Sequence, residues 1–187
     1  VREQDFAYTK VMSPTSKAEQ VTDTPVKLGH NEGDFNESMA HRIAVKLVEK
    51  EFKEEYVESD DNDADLVHRY WNPNGRTQLD HDVMAAERSG EDSYLGKVIG
   101  EVLYTTSNAD YIERHWREVK NLFDSEVVFY VENKDAARRI GEILADEGLA
   151  QRATKGDKTY EEISESVFAD RENARFENIT EVVQRQT

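Results

Sequence analysis

The sequence predicts an α/β fold with a mixed central sheet and flanking helices, in the order α-β-β-β-α-β-α. Three patterns carry that expectation. Apolar residues recur with the i, i+3, i+4, i+7 spacing of amphipathic helices in three separate stretches. The stretches 97–104 and 126–131 are apolar on both alternating faces, as strands covered on both sides must be. Turn signals then separate the first three strands at hairpin distance.

Residues 1–33 are polar, carry Pro14, Pro25, Gly29 and Gly33, and read as an arm or linker with room for a short strand, or as part of a preceding domain. The first helix is expected over 36–52, where Met39, Ala40, Ile43, Ala44, Leu47 and Val48 share a face and Asp34 or Asn36 supplies the cap. The acidic run 54–65 reads as a loop with a short strand at Tyr56 and Val57. Leu66 to Trp71 is aromatic and β-prone, Asn72-Pro73-Asn74-Gly75 is a turn, and 77–87 is the return strand. A second turn at 89–92 leads into the third strand, 97–105. Ser107 or Asn108 opens a helix with Ile112, Trp116, Val119 and Leu122 on its stripe, and 126–131 forms the next strand. Asn133 caps a helix bearing Ala136, Ala137, Ile140, Ile143 and Leu144, closed by Gly148. The chain thus divides into an arm (1–33), an α/β core (34–149) and a C-terminal helical extension (150–187). In the extension, Phe176, Ile179 and Val182 or Val183 suggest a last helix over 171–183.

Composition narrows the function classes. A chain of 187 residues suffices for one domain with a real core. The absence of cysteine excludes disulfides, thiolate metal sites and a cysteine nucleophile. The longest apolar run, Val127 to Val131, is too short to span a bilayer, and the first residues show no signal-peptide core, so a cytoplasmic or virion-associated protein is expected. Starting on Val suits a piece of a longer chain. Forty acids against twenty-four bases give a net charge of −16, spread along the whole length. That balance suits a protein that avoids nucleic acid, or one from a high-salt cytoplasm, where an acidic, hydrated surface maintains solubility. At molar salt the Debye length falls to roughly 3 Å, and net charge no longer restricts partners. The even spread of acids and the 37% hydrophobic fraction favour the halophilic reading.

Glu101 is the residue that points to chemistry. It lies in a strand otherwise apolar on both faces, and an ionised carboxylate there is costly unless paired, hydrogen-bonded or bound to a cation. The preceding strand carries Asp80 and Asp82, with His81 alternating to the opposite face. The element order, with His81-Asp82-Val83 on the second strand and Glu101-Val102-Leu103 on the third, resembles the restriction-endonuclease-like PD-(D/E)XK nuclease superfamily over 34–149. The resemblance implies that Asp82 and Glu101 bind Mg²⁺ (or Mn²⁺), with Asp80 and a first-helix acid, Glu37, as further ligands. A hard cation on such oxygens would neutralise charge in phosphodiester hydrolysis and acidify a bound water. It also implies a lysine two residues after Glu101, where this chain has Leu103; Lys97 and Lys120 are the candidates to replace it. DNA is the partner expected of an active domain. The alternatives are an inactive nuclease-fold module that binds nucleic acid or a protein partner within a larger chain, and a halophilic structural or interaction protein of unrelated α/β fold. Structural roles stand beside the catalytic ones: Asp82 pairing with Arg69 or Arg76, and Glu101 held by Lys97 or a tyrosine hydroxyl. No Gly-rich phosphate loop, nucleophile elbow or His-Glu-x-x-His motif occurs.

Overall fold

Alternating strands that are apolar on both faces require a helical layer on each side, and the computed structural model has that arrangement. It describes residues 2–6, 9–13, 39–59, 64–71, 81–90, 94–103, 108–120, 122 and 125–186. An N-terminal antiparallel hairpin pairs β1 (Arg2–Phe6) with β2 (Thr9–Ser13). The core follows as α1 (Met39–Phe52), β3 (Leu66–Trp71), β4 (His81–Arg88), β5 (Tyr94–Leu103), α2 (Ala109–Val119), β6 (Glu126–Val131) and α3 (Lys134–Asp146). It ends with α4 (Tyr160–Val167), β7 (Ala174–Asn178) and α5 (Ile179–Gln186). The sheet order is β3-β4-β5-β6-β7; the first three strands form an antiparallel meander, and β6 and β7 continue in parallel. The fold is therefore α/β, with a mixed five-stranded sheet and flanking helices.

Strand alternation assigns each side chain to a layer. Val83, Ala85, Val98, Val102, Val128 and Tyr130 face α1 and α5. Met84, Ala86, Ile99, Leu103, Phe129 and Val131 face α2, α3 and α4. Helix α1 lies tight on the sheet because Gly100 has no side chain: a Cβ there would meet Phe52 at 3.1 Å and Val48 at 3.3 Å. In the other layer Trp116, Phe129, Phe168 and Phe176 form one aromatic cluster, with ring centroids 4.9 to 6.0 Å apart. Arg171 locks its margin, donating to the carbonyls of Val119, Leu122 and Ser125 while lying 5.6 Å from the Trp116 ring. The expected caps Asn108 and Asn133 accept from Asp110 N–H and Ala136 N–H, and Gly148 takes φ +66° just past α3.

The structure differs from the sequence expectation at three places, the first being the arm, where two paired strands, β1 and β2, stand in place of one short strand. Residues 171–183 are not one helix: Ala174 and Phe176 are buried on a two-residue period and form β7, and only from Ile179 does the helical stripe Ile179, Val182, Val183 begin. The spacing of Phe176 and Ile179 by three mimics a helix across that junction. Tyr56 and Val57 are not in a strand either. They belong to a π-helical turn, Lys53–Val57, that continues α1 and sets the Tyr56 ring edge-on to Phe52 at 5.2 Å. The expected turn at 72–75 and the caps Asp34 and Asn36 lie outside the described residues.

Gly141 of α3 supplies a test of the layer packing. A Cβ at this position would lie 2.7 Å from Val167 of α4. Gly141→Ala is expected to lower stability by about 1–3 kcal/mol despite its better helix propensity, read as a fall in the urea midpoint at unchanged slope.

Candidate functional site

The register Val83↔Gly100 brings Asp82 and Glu101 onto neighbouring positions of adjacent antiparallel strands. Both are buried, Asp82 at 3% exposure and Glu101 at 0%. Three buried histidines meet them. His81 Nδ1 lies 2.7 Å from Glu101 Oε1, and His115 Nδ1, from α2, lies 3.2 Å from Glu101 Oε2. His41 Nε2, from α1, lies 3.1 Å from Asp82 Oδ1, and the second Asp82 oxygen accepts from Val102 N–H at 2.8 Å. The His115 contact is an ion pair without hydrogen-bond geometry.

The two acids are thus held from opposite layers, Glu101 by α2 and Asp82 by α1. A break in the neighbouring strand accompanies this divergence. The β3–β4 ladder pairs Arg69 with Val83 and Trp71 with His81, but Tyr70 between them has φ +48°, an unusual backbone state for a non-glycine residue. That interruption falls opposite Asp82.

Electrostatics within the cluster favour charge separation. Burial alone would push the Glu101 carboxyl up, but the charge and contact of His115, and then of His81, outweigh it and hold the group down to about 2. Burial likewise disfavours a charged His115, yet Glu101 and then Asp82 bring its net shift upward. Tyr111 lies against the His115 ring, with centroids 4.0 Å apart.

The remaining sequence candidates fall elsewhere. Lys97 pairs with Glu87 at 2.7 Å, four residues before Glu101 and hence about 13 Å along the strand. Lys120 forms the C-terminal cap of α2, five residues beyond His115. No described contact joins either lysine to Asp82 or Glu101. Leu103 is 1% exposed and packs in the α2-side core. Asp80 and Glu37 lie outside the described residues.

Sequence reasoning did not bring His41 or His115 to the site, although each carried a signal, and it set His81 on the face away from the acids, whereas its Nδ1 lies against Glu101. His41 precedes Ala44, Val45 and Val48 at i+3, i+4 and i+7, and His115 sits three residues after Ile112 and four before Val119. Each occupies a place on a buried stripe where an apolar side chain is expected.

Hydrated Mg²⁺ takes oxygen ligands and keeps several waters. The described residues do not fit it: both Asp82 oxygens are engaged, Glu101 is sealed from solvent between two imidazoles, and three of the five polar side chains present nitrogen. Among the described residues, no group of three or more His, Asp or Glu side chains is arranged to hold a metal ion. Nor is any described helix long and apolar enough to cross a membrane.

Comparison with known proteins adds no relative. No family model matches the chain, and neither a curated protein nor a solved structure matches it.

The cluster predicts a pH dependence of stability. A carboxyl whose pKa falls from 4.5 to about 2 on folding contributes stability above pH 4.5 that is lost as pH drops through about 2. His115, raised on folding, contributes below its ordinary 6.5 and loses that contribution as pH rises through its folded value. Glu101→Gln is expected to destabilise the fold by about 3–5 kcal/mol, as breaking one side of a buried ion pair does. It should also flatten the acid limb of a stability–pH curve between pH 4.5 and 2, followed by urea denaturation across that range.

Proposed function

We propose that this chain is a restriction-endonuclease-like domain whose acidic centre holds the fold together, leaving the domain a non-hydrolytic binding module. The reading is supported by the order helix, three-stranded meander, crossover helix, parallel strand and helix, and by Asp82 and Glu101 standing on the second and third strands of that meander. The observation that carries the reading is the state of Glu101: it has no solvent exposure and is compensated by His81 and His115. Such a carboxylate is not available to a phosphodiester. The lysine position supports the same conclusion, because Leu103 is itself core.

A protein partner suits this domain better than a nucleic acid. Binding to phosphates draws on Lys and Arg side chains free to release counterions. Here arginines of two helices are engaged within the fold: Arg117 of α2 pairs with Glu113, and Arg138 of α3 with Asp135. Arg152, Arg175 and Arg185 also pair with carboxylates, of Asp146, Glu126 and Glu51. On a chain of net charge −16, these intramolecular pairs neutralise much of the positive charge of the described residues.

The test is a cleavage assay in molar KCl with Mg²⁺ or Mn²⁺ on linear, nicked and branched DNA, comparing wild type with Glu101→Gln. No cleavage above the buffer control is expected from either protein, and DNA affinity should stay at the non-specific level. Cleavage by wild type that disappears in a folded Glu101→Gln protein would restore the nuclease reading and sink this one.

A further inference from the structure

We propose that the groove between α4 and β7 is a docking site for a short basic segment of a protein partner, with an apolar side chain seated between cationic ones. This goes beyond the functional reading above and does not depend on the state of the acidic centre. The groove encloses about 740 Å³, within the range of built binding pockets rather than of surface dimples.

Its floor and walls are fixed before any ligand arrives. Phe168 and Phe176 form the floor and belong to the aromatic cluster with Trp116 and Phe129. The α4 wall is pinned at its start by a capping box between Thr159 and Glu162. Its middle is tied to β7, because the Ser164 hydroxyl accepts from Phe176 N–H at 2.7 Å. A preformed groove loses little ordering entropy on binding.

The chemistry of the lining is one-sided. Its hydrogen-bond donors are engaged: the Arg171 guanidinium by three backbone carbonyls, Arg175 by Glu126 and Glu177, and the Ser164 hydroxyl by Tyr160 O. Two of the N–H groups that β7 turns away from β6 are satisfied as well, Ala174 by Arg171 O and Phe176 by Ser164. What remains is acceptor. Glu161 and Glu165, one helical turn apart on α4, stand on one side, and Glu172 stands at the turn before β7. All three are exposed, and none is in an ion pair with a described residue, in contrast to the paired acids of α2 and α3. Carboxylates around an aromatic floor call for Lys or Arg flanking an apolar side chain. A docking β-strand is disfavoured, because it would find these outward N–H donors of β7 already bonded.

The full chain can be titrated with a blocked octapeptide carrying one Leu between two pairs of Lys, read by calorimetry at moderate and at molar KCl. Three comparisons decide the matter: a peptide with Leu replaced by Ser, the protein variant Glu161→Gln/Glu165→Gln/Glu172→Gln, and a control variant Glu54→Gln/Glu58→Gln in the α1 layer. Saturable binding is expected, weakened at least about tenfold by the groove variant and about fivefold by the Ser peptide, and unchanged in the control. These exposed substitutions leave the core intact, so the circular dichroism spectrum should not change. Equal weakening in both protein variants would reveal general attraction of a polycation to an acidic surface and overturn the proposal. So would equal binding of the Leu and Ser peptides, or no binding at all.

Discussion

A carboxylate without solvent contact in the middle of a sheet must be neutralised by its neighbours, and the layers of this protein meet where that happens. Glu101 draws His81 from the adjacent strand and His115 from the helix above it. Asp82 draws His41 from the helix on the other side and the N–H of Val102 within the sheet. The removal of any one partner leaves a buried charge or a buried polar atom without compensation, which is the costliest defect a core can carry. Because the contacts come from β4, β5, α1 and α2 together, they fix the β4–β5 register and the rotation of both helices over the sheet. Apolar packing alone tolerates shifts of this kind far more readily.

Much of this architecture was legible. The stripes of α1, α2 and α3 and the two-faced apolar strands define the layers, and the acid within a core strand marks the place where the layers are tied. The histidines were not legible because their letter is ambiguous. On an apolar stripe a histidine reads as a tolerated core residue, and only the fold shows that His41 and His115 point at the two acids from opposite sides. Of the lysines offered in place of Leu103, Lys97 is held elsewhere by its geometry: it lies too far along its strand, where Glu87 takes it. Strand β7 was hidden because Phe176, at the end of one period, and Ile179, at the start of another, are separated by a helical interval.

The acidic composition acquires a more specific meaning from the structure. The described cations are largely consumed by carboxylates one helical turn away or on neighbouring elements, such as Glu51 with Arg185 and Glu126 with Arg175. Exposed pairs of this type contribute little stability individually. Their larger effect is to remove positive patches, so that the surface presents carboxylates interrupted by neutralised spots. The α4–β7 groove departs from that pattern, since Glu161, Glu165 and Glu172 form no ion pair with a described residue.

The Ser164 hydroxyl has a consequence for solubility that does not depend on charge. Proteins commonly guard a sheet edge with lysines or inward-pointing charges that repel an incoming strand. At molar salt, with a Debye length of roughly 3 Å, such repulsion is nearly erased. The outer edge of β7 is closed instead by hydrogen bonds, from Phe176 N–H to Ser164 and from Ala174 N–H to Arg171 O. A strand approaching this edge meets these two donors already occupied, at any ionic strength. The sheet therefore stops at five strands here through a short-range seal that concentrated salt leaves in place.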